Sequence, residues 1–135
     1  MKKLILFCFV ALPFLWVASN SFSKEPIKID VLYMNHGPMR PTLRNLEDLF
    51  SGYGDKIAVS RYDFESEEGE QFKAQRRIRG HIPLVIWIDG KSTVKVNGKQ
   101  VAFSGFPSGS GPSFFQGKWN MEDLKMALDR ATSKN

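Results

Sequence analysis

The spacing of apolar residues changes several times along the chain after residue 24, and each spacing predicts an element. Apolar and polar residues alternate over residues 27–34, with a strongly apolar face, which is typical of a strand. From Pro41 the apolar residues recur at helical spacing until Gly52 ends the pattern. The first two elements are therefore predicted to be a strand and an amphipathic helix.

A second strand, a second helix and a buried strand are predicted next. Residues 56–64 have strand composition and lead into the acidic stretch 65–68, where a short helix begins. Acidic residues at its start and basic residues toward its end complement the helix dipole, so these charges are explained without a ligand. Residues 83–88 are almost continuously apolar, which favours a central strand that is buried on both faces and ends in a tight turn.

The last third of the chain predicts a hairpin, a long loop and a helix. Thr93–Val96 is expected to pair with the buried strand, and Asn97-Gly98 marks a hairpin that leads to a further strand over residues 100–103. A loop rich in Gly, Ser and Pro follows over residues 104–118. Asn120 can cap the last helix, with Asp123 reaching back as in a capping box. This order predicts an α/β domain in which helices flank a central mixed sheet.

Residues 1–23 have the layout of a secretory signal peptide. Two basic residues precede an apolar run over residues 4–18, and small or polar residues follow it. The run is short for a bilayer span of roughly 20 residues and is interrupted by Pro13. We therefore expect cleavage, one domain over residues 24–135, a periplasmic or otherwise extracytoplasmic location and no permanent membrane span. An uncleaved anchor is the alternative.

Cysteine and charge content narrow the functional classes. Cys8 is the only cysteine and lies in the apolar run, so the exported domain would depend on an ordinary hydrophobic core without disulfides. Without Lys2 and Lys3 the chain has 17 basic and 14 acidic residues, a net charge of +3. This balance falls well short of that of nucleic-acid-binding proteins, so no nucleic-acid partner is expected.

Two short segments resemble a known family. His36-Gly37-Pro38-Met39-Arg40 stands at the start of the first helix, and residues 77–84, Arg-Ile-Arg-Gly-His-Ile-Pro-Leu, lead into the buried strand. They resemble the Cys-Gly-Pro-Cys-Lys and Tyr-Gly-Ile-Arg-Gly-Ile-Pro-Thr segments of the thioredoxin superfamily. The resemblance covers residues 27–131 and implies a compact thioredoxin-like fold. Both redox cysteines of the family are replaced here, and the loop over residues 104–118 departs from the family pattern.

The resemblance implies two structural features that can be checked. The family has a buried acid six residues before its first cysteine, which Asp30 matches, and a partly buried lysine on the next strand, which Arg61 matches. We expect Asp30 and Arg61 to lie close together. The Ile82–Pro83 bond is expected to be cis, and a trans bond there would overturn the alignment, because only about 5–6% of X-Pro bonds are cis.

The substitutions remove the chemistry of the family. Thiol-disulfide exchange needs a thiolate and a second sulfur that can close a disulfide, and neither His36 nor Met39 supplies these. Dithiol-disulfide oxidoreductase activity is therefore not expected, and no catalytic residues are assigned. Neither a Ser/His/Asp arrangement nor a pair of carboxylates has local support, so the sequence indicates no other enzymatic activity.

The resemblance also implies a peptide-binding rim. The family receives an extended peptide over the start of the first helix and beside the residue that precedes the cis-proline, here Ile82. A peptide from an exported protein could exchange backbone hydrogen bonds with Ile82, a form of strand addition. The alternative is that this surface was inherited with the fold and binds no ligand, and the two interpretations are given equal weight. The predicted rim comprises His36, Gly37, Pro38, Met39, Arg40, Arg79, His81, Ile82 and Pro83.

Two other ligands are considered at the same rim. His36, Met39 and His81 would form a soft-ligand set that suits copper. Some exported thioredoxin-like proteins that handle copper use cysteines that are missing here, so copper is an alternative and no cofactor is expected. Arg40 and Arg79 near free N–H groups of the first helix would attract a carboxylate or phosphate. That second hypothesis is the weaker, since no phosphate-binding glycine loop occurs.

Three phenylalanines in the loop over residues 104–118 are candidate contacts. Phe106, Phe114 and Phe115 lie among glycines and prolines. Large apolar residues of this kind anchor interfaces, but a loop of this length also folds back onto a core. Folding of the loop back onto the core is favoured, because three exposed phenylalanines would promote aggregation.

Overall fold

The computed structural model describes residues 24–134, so the predicted signal peptide and Cys8 lie outside the described residues, as does Asn135. This part of the chain is a mixed α/β domain with three α-helices and a small mixed sheet, as predicted. No helix in it is long and apolar enough to cross a membrane. The elements in chain order are β1 (Ile27–Tyr33), α1 (Arg40–Ser51), β2 (Ile57–Asp63), α2 (Glu67–Arg76), β3 (Leu84–Ile88), β4 (Thr93–Val96), β5 (Lys99–Ala102) and α3 (Met121–Lys134).

β1 is the centre of the main sheet. β2 pairs with it in parallel and β3 antiparallel. The outer edge of β3 is hydrogen-bonded to the residues that follow β5, because Ile86 N–H donates to Phe103 O at 2.9 Å and Gly105 N–H donates to Leu84 O at 2.8 Å. The prediction that β4 pairs with β3 is wrong, since β4 and β5 form their own hairpin and the chain returns to β3 only after it.

Local sequence explains how the second and third helices begin. The Ser66 Oγ accepts a hydrogen bond from Gly69 N–H at 3.0 Å and so caps α2. A side chain at Gly69 would collide with the Asp63 carbonyl, which fixes glycine at this close approach of α2 to the end of β2. The predicted capping box at α3 is confirmed by reciprocal bonds of 2.9 and 3.0 Å between Asn120 and Asp123.

The two faces of the main sheet carry different cores. The first, under α1 and α3, is a cluster of 18 buried apolar residues that includes Leu46, Trp119 and Leu128. The second, under α2, has four buried members, which are Leu32, Phe72, Val85 and Trp87. Phe72 stacks on Tyr62 with ring centroids 3.9 Å apart and meets Trp87 edge-on at 5.3 Å, an arrangement that aromatic quadrupoles favour.

The α1 and α3 helices are also joined by a polar contact at the surface. The Tyr53 hydroxyl, just after α1, donates to Asp129 Oδ1 at 2.7 Å, and Lys125 Nζ lies 2.7 Å from Asp129 Oδ2. Burial raises the pKa of Tyr53, and the hydrogen bond to Asp129 raises it further. The hydrogen bond from Lys125 lowers the pKa of Asp129. Folding therefore favours the neutral phenol of Tyr53 and the carboxylate form of Asp129.

The predicted pairing of Asp30 with Arg61 is wrong. Asp30 is buried as expected, with no exposed surface, but its Oδ2 accepts a hydrogen bond from Arg76 of α2 at 3.0 Å. Arg61 instead holds Glu47 of α1 through two bonds of 2.6 Å, and the hydrogen bond to Glu47 raises the pKa of Arg61. The reason is the pairing of β1 with β2, in which Asp30 lies opposite Ser60 and Val31 opposite Arg61. Successive strand residues face opposite sides, so Asp30 and Arg61 lie on different faces of the sheet.

The predicted cis bond before Pro83 is also wrong. No peptide bond within residues 24–134 is cis, so Ile82–Pro83 is trans. The trans isomer is favoured intrinsically by about 0.5–1 kcal/mol, and an extended residue before proline suits the direct entry of the chain into β3. By the criterion set above, the alignment of residues 77–84 with the family segment does not hold.

Candidate functional site

The predicted rim lies where β1 ends and β3 begins. Met34 N–H, just after β1, donates to Pro83 O at 2.9 Å, which joins the two chain segments. A short turn, Gly37–Met39, then leads into α1. The turn before α1 and the segment before β3 therefore both lie at this end of the sheet.

The residues of the rim differ in accessibility. Those at the surface are His36, Gly37, Pro38, Arg40, Arg79 and His81, whereas Ile82 is half-buried. Pro83 is buried, and Met39 is 1% exposed and belongs to the larger core. The Met39 side chain is therefore a core residue, and a ligand at this rim would meet its neighbours instead.

The segment between α2 and β3 leaves its backbone unpaired. α2 ends at Arg76, and the next residue, Arg77, caps it in a left-handed conformation with φ of 55°. The Ile78 N–H group closes the helix on Lys73 O at 2.9 Å. From residue 79 to residue 82 no N–H or C=O group pairs with another group in the described part of the chain. Because unpaired backbone groups tend to find partners, Ile82 presents a donor and an acceptor to solvent or to a ligand.

A row of aromatic rings borders this unpaired segment. The His81 ring lies 6.1 Å from Phe64, at the end of β2, and 5.8 Å from Phe115 in the loop over residues 104–118. Phe115 in turn contacts Phe114 with centroids 4.5 Å apart. We call Phe64, His81, Phe115 and Phe114 the aromatic row.

The aromatic row ends at an exposed side chain. Phe114 is 79% exposed, and no other large apolar side chain in residues 24–134 is as open. At the other end, Lys73 Nζ lies 3.6 Å from the centroid of Phe64, a cation–π contact. The row therefore runs from a half-buried ring to a mostly exposed one.

The loop that carries two of these rings is anchored firmly. Phe106 is buried, its N–H donates to Phe115 O at 2.9 Å, and Gly117 N–H donates to Phe106 O at 2.7 Å. A side chain at Gly111 would collide with the Phe106 ring, and Trp119 Nε1–H donates to Gly105 O at 3.2 Å. The prediction that these phenylalanines fold back onto the core is confirmed for Phe106 and wrong for Phe114. Phe115 is half-buried against the larger core, so the prediction holds for it only in part.

The His36 side chain makes one polar contact within residues 24–134. Its Nε2 lies 3.7 Å from Glu65 Oε1, and its side chain does not cap the turn that follows. Glu65 is the neighbour of Phe64 in the chain, so both histidines of the rim lie beside the end of β2. Within the described range no group of three or more His, Cys, Asp or Glu side chains could hold a metal ion.

The predicted copper set is not brought together as a surface site. Its thioether belongs to Met39, which is nearly inaccessible, and leaves the imidazoles of His36 and His81 as surface nitrogen ligands. Arg40 and Arg79 are both exposed and form no ion pair within residues 24–134. They give the rim a positive charge, which bears on the charge of a ligand.

One residue of the site, Phe64, and one contact within it, between His81 and Phe115, were missed from the sequence. Phe64 was assigned to the second strand, but its alternation with Tyr62 and Asp63 already placed it on the same face as Tyr62. The contact of His81 with Phe115 joins segments that lie 34 positions apart, and no local pattern indicates it.

Comparisons with known proteins add no relative. No protein-family model matches the chain, and no curated protein is significantly similar to it. The functional conclusion therefore depends on the geometry of the site.

Proposed function

We propose that the chain is an exported, noncatalytic domain that binds an extended peptide of another exported protein. The peptide would lie along residues 79–82 and against the aromatic row. The observation that carries this proposal is the coincidence of unpaired backbone and an exposed phenylalanine at one end of the sheet.

The backbone supports a strand-like mode of binding. Ile82 has no hydrogen-bonding partner in residues 24–134, and the bond from Met34 to Pro83 holds the segment beside β1. A ligand that pairs with Ile82 would extend the sheet at its end. Such pairing gives affinity through main-chain hydrogen bonds and leaves specificity to side-chain pockets.

The aromatic row supports a ligand with an apolar side chain. Phe114 offers a rigid ring, and aromatic rings are enriched among residues that dominate binding. Phe115 and His81 hold this ring next to the unpaired segment. An aliphatic or aromatic side chain of the peptide would cover Phe114, and a nearby carboxylate would meet Arg79.

The absence of thiol chemistry supports a noncatalytic role. Cys8, in the predicted signal peptide, is the only cysteine. The positions that resemble the redox pair hold His36 and Met39, and Met39 is buried in the core. The functional part of the surface is then a binding site, and any turnover of disulfides by the purified chain would contradict it.

The proposal includes a thioredoxin-like fold. Support comes from the order of elements, the mixed sheet with helices on both faces and the burial of Asp30. The trans bond at Pro83 and the pairing of Arg61 with Glu47 count against the residue-by-residue alignment. Peptide binding does not depend on that alignment, because Ile82 and Phe114 are placed by contacts of this chain.

Site-specific crosslinking followed by titration tests the function. A photoreactive residue at position 82 would capture the partner in the cell, and the crosslinked segment would then be synthesised and titrated against the purified chain. We expect saturable binding that Phe114→Ser weakens by about tenfold. Lys118→Ala, an exposed change in the same loop, is the matched control and should leave the affinity unchanged.

The same titration has outcomes that reject the proposal. Equal affinities for the Phe114→Ser variant and the parent chain would show that the aromatic row does not contact the ligand. A synthetic segment with methylated backbone nitrogens that binds as well as the unmodified segment would exclude strand addition.

A further inference from the structure

A second groove lies at the opposite end of the main sheet. It opens where β1 begins and β3 ends, between β4 and α3, and has a volume of about 410 Å³. β1 has seven residues, which places this groove about 20 Å from the rim at the other end of the strand. We call it the β4–α3 groove, and nothing in the proposed function uses it.

The groove combines an apolar floor with basic walls. Its floor includes Ile27, Ile88, Val94, Ala127 and Ala131. Its basic residues are Lys91, Lys95, Arg130 and Lys134, against the single acid Asp89. None of these four basic side chains forms an ion pair within residues 24–134, so their charge is available to a ligand.

The outer edge of β4 lies in this groove and is not paired with another strand, and among its outward backbone groups only the Lys95 carbonyl has a partner within residues 24–134. The two-residue turn Asn97-Gly98 makes Val96 and Lys99 a hydrogen-bonded pair, so the backbone groups of Thr93 and Lys95 point away from β5. Arg130 confirms this direction, because its Nη1 donates to Lys95 O at 3.1 Å. No third strand pairs with β4 in the described part of the chain.

We infer that the β4–α3 groove binds an acidic, extended peptide segment that adds as a strand to β4. Alternate side chains of an added strand face opposite sides, as those of β4 do. Apolar side chains would contact the floor beside Val94, and carboxylates would lie across from Lys95. Positive charge around this edge also disfavours basic segments that would otherwise add to it.

A designed peptide tests this inference directly. The probe is a fluorescent peptide of alternating glutamate and valine, titrated against the purified full chain by fluorescence anisotropy. Saturable binding is expected, and Lys95→Glu should weaken it by about tenfold through loss of one attraction and gain of one repulsion. Lys99→Glu makes the same charge change on the same hairpin outside the groove and should alter the affinity less than about twofold.

Four results would overturn the inference. Equal weakening by Lys95→Glu and Lys99→Glu would mean that the probe reports net charge alone. A probe methylated on alternate backbone nitrogens that binds as tightly as the unmodified probe would exclude strand addition. If vesicles of equal parts phosphatidylcholine and phosphatidylglycerol displace the probe, the groove binds a lipid surface. If the chain self-associates in a way that displaces the probe and that Lys95→Glu abolishes, the groove binds a second copy.

The test is independent of the rim. Phe114→Ser lies at the other end of the sheet, so it should leave binding of the glutamate–valine probe unchanged. If it instead abolishes probe binding, the peptide occupies the rim and the β4–α3 groove is not its site.

Discussion

The two faces of the main sheet place their polar links at different depths. Under α1 and α3, the large apolar core contains no buried carboxylate, and the link between the helices, Tyr53 with Asp129, lies at the surface. Under α2, the small aromatic core surrounds Asp30 in the middle of the sheet, and Arg76 reaches in from α2 to meet it.

This difference shows how a short helix can be positioned by a small core. The Arg76 guanidinium lies over the rings of Phe72 and Trp87, at 5.2 and 5.3 Å, while it donates to Asp30. One side chain therefore connects the aromatic packing with the buried charge. Four sets of substitutions test the comparison, in order from the largest expected loss in the free energy of unfolding to the smallest.

Leucine truncation on each face compares the two cores with the same chemistry. Leu128 of α3 and Leu32 of β1 are both fully buried. Truncation of a buried leucine to alanine lowers the free energy of unfolding by about 2–5 kcal/mol. Leu128→Ala should fall in the upper part of this range, because the large core cannot collapse onto the cavity. Leu32→Ala should cost less, since α2 alone covers that face and can shift. Urea unfolding measures both, and an equal or larger loss at Leu32 would contradict the comparison.

Removal of Arg76 tests the buried link. Arg76→Met would leave the Asp30 carboxylate in the sheet with only Lys28 as a partner, 3.7 Å away. The free energy of unfolding should fall by about 3 kcal/mol, which is the lower end for breaking a buried pair, because Arg76 is partly exposed. Arg61→Met is the matched control, since its exposed pair with Glu47 should contribute about 0–1 kcal/mol. Adding Asp30→Asn should recover part of the loss, and a double variant less stable than Arg76→Met would contradict this account.

The two adjacent phenylalanines of the loop separate packing from exposure. Phe115→Ala should lower the free energy of unfolding by about 1–2 kcal/mol, because its ring is half-buried against the larger core. Phe114→Ala should change it by less than about 0.5 kcal/mol, since that ring is mostly exposed. A large destabilisation by Phe114→Ala, seen as a fall in Tm, would show that the ring supports the fold.

The surface link should produce the smallest effects, and they depend on pH. The pKa of Asp129 is lowered on folding, chiefly by the hydrogen bond from Lys125, so its contribution is present above about pH 4 and is lost as the pH falls. The pKa of Tyr53 is raised, chiefly by burial, so its contribution is present below about pH 10 and is lost as the pH rises.

Variants of this link separate the two limbs of the stability profile. Asp129→Asn should reduce the acid-side loss by a few tenths of a kcal/mol, as for other exposed pairs, and Tyr53→Phe should reduce the alkaline-side loss. Chemical unfolding across the pH range measures both. If Tyr53→Phe altered only the acid limb, the assignment of the alkaline limb would be wrong.

The elements could be predicted from the sequence because their signals are local. Alternation marks β1, and the Asn120–Asp123 box marks the start of α3. The burial of Asp30 was also anticipated. Its partner was not, because the pairing of β1 with β2 differs by one residue from the pairing that would put Asp30 and Arg61 on one face, and a shift of one residue exchanges the faces of a strand.

The site could be predicted only in outline. The rim was predicted from the family resemblance, and the structure shows only that the turn before α1 and the segment before β3 lie at one end of the sheet. The burial of Met39 and the exposure of Phe114 depend on contacts over long sequence distances, and apolar character alone does not distinguish them. The trans bond at Pro83 shows the limit of the resemblance, since an Ile-Pro step does not by itself fix the isomer.

The unpaired backbone over residues 79–82 has a consequence for hydrogen exchange. Amides without hydrogen-bonding partners exchange with solvent quickly, whereas those of β1 and β3 exchange only when the sheet opens. A peptide that pairs with Ile82 would slow exchange at this segment. Copper held by the two imidazoles alone would leave its amides as fast as before. Exchange at four adjacent residues can thus distinguish the classes of ligand before any ligand is identified.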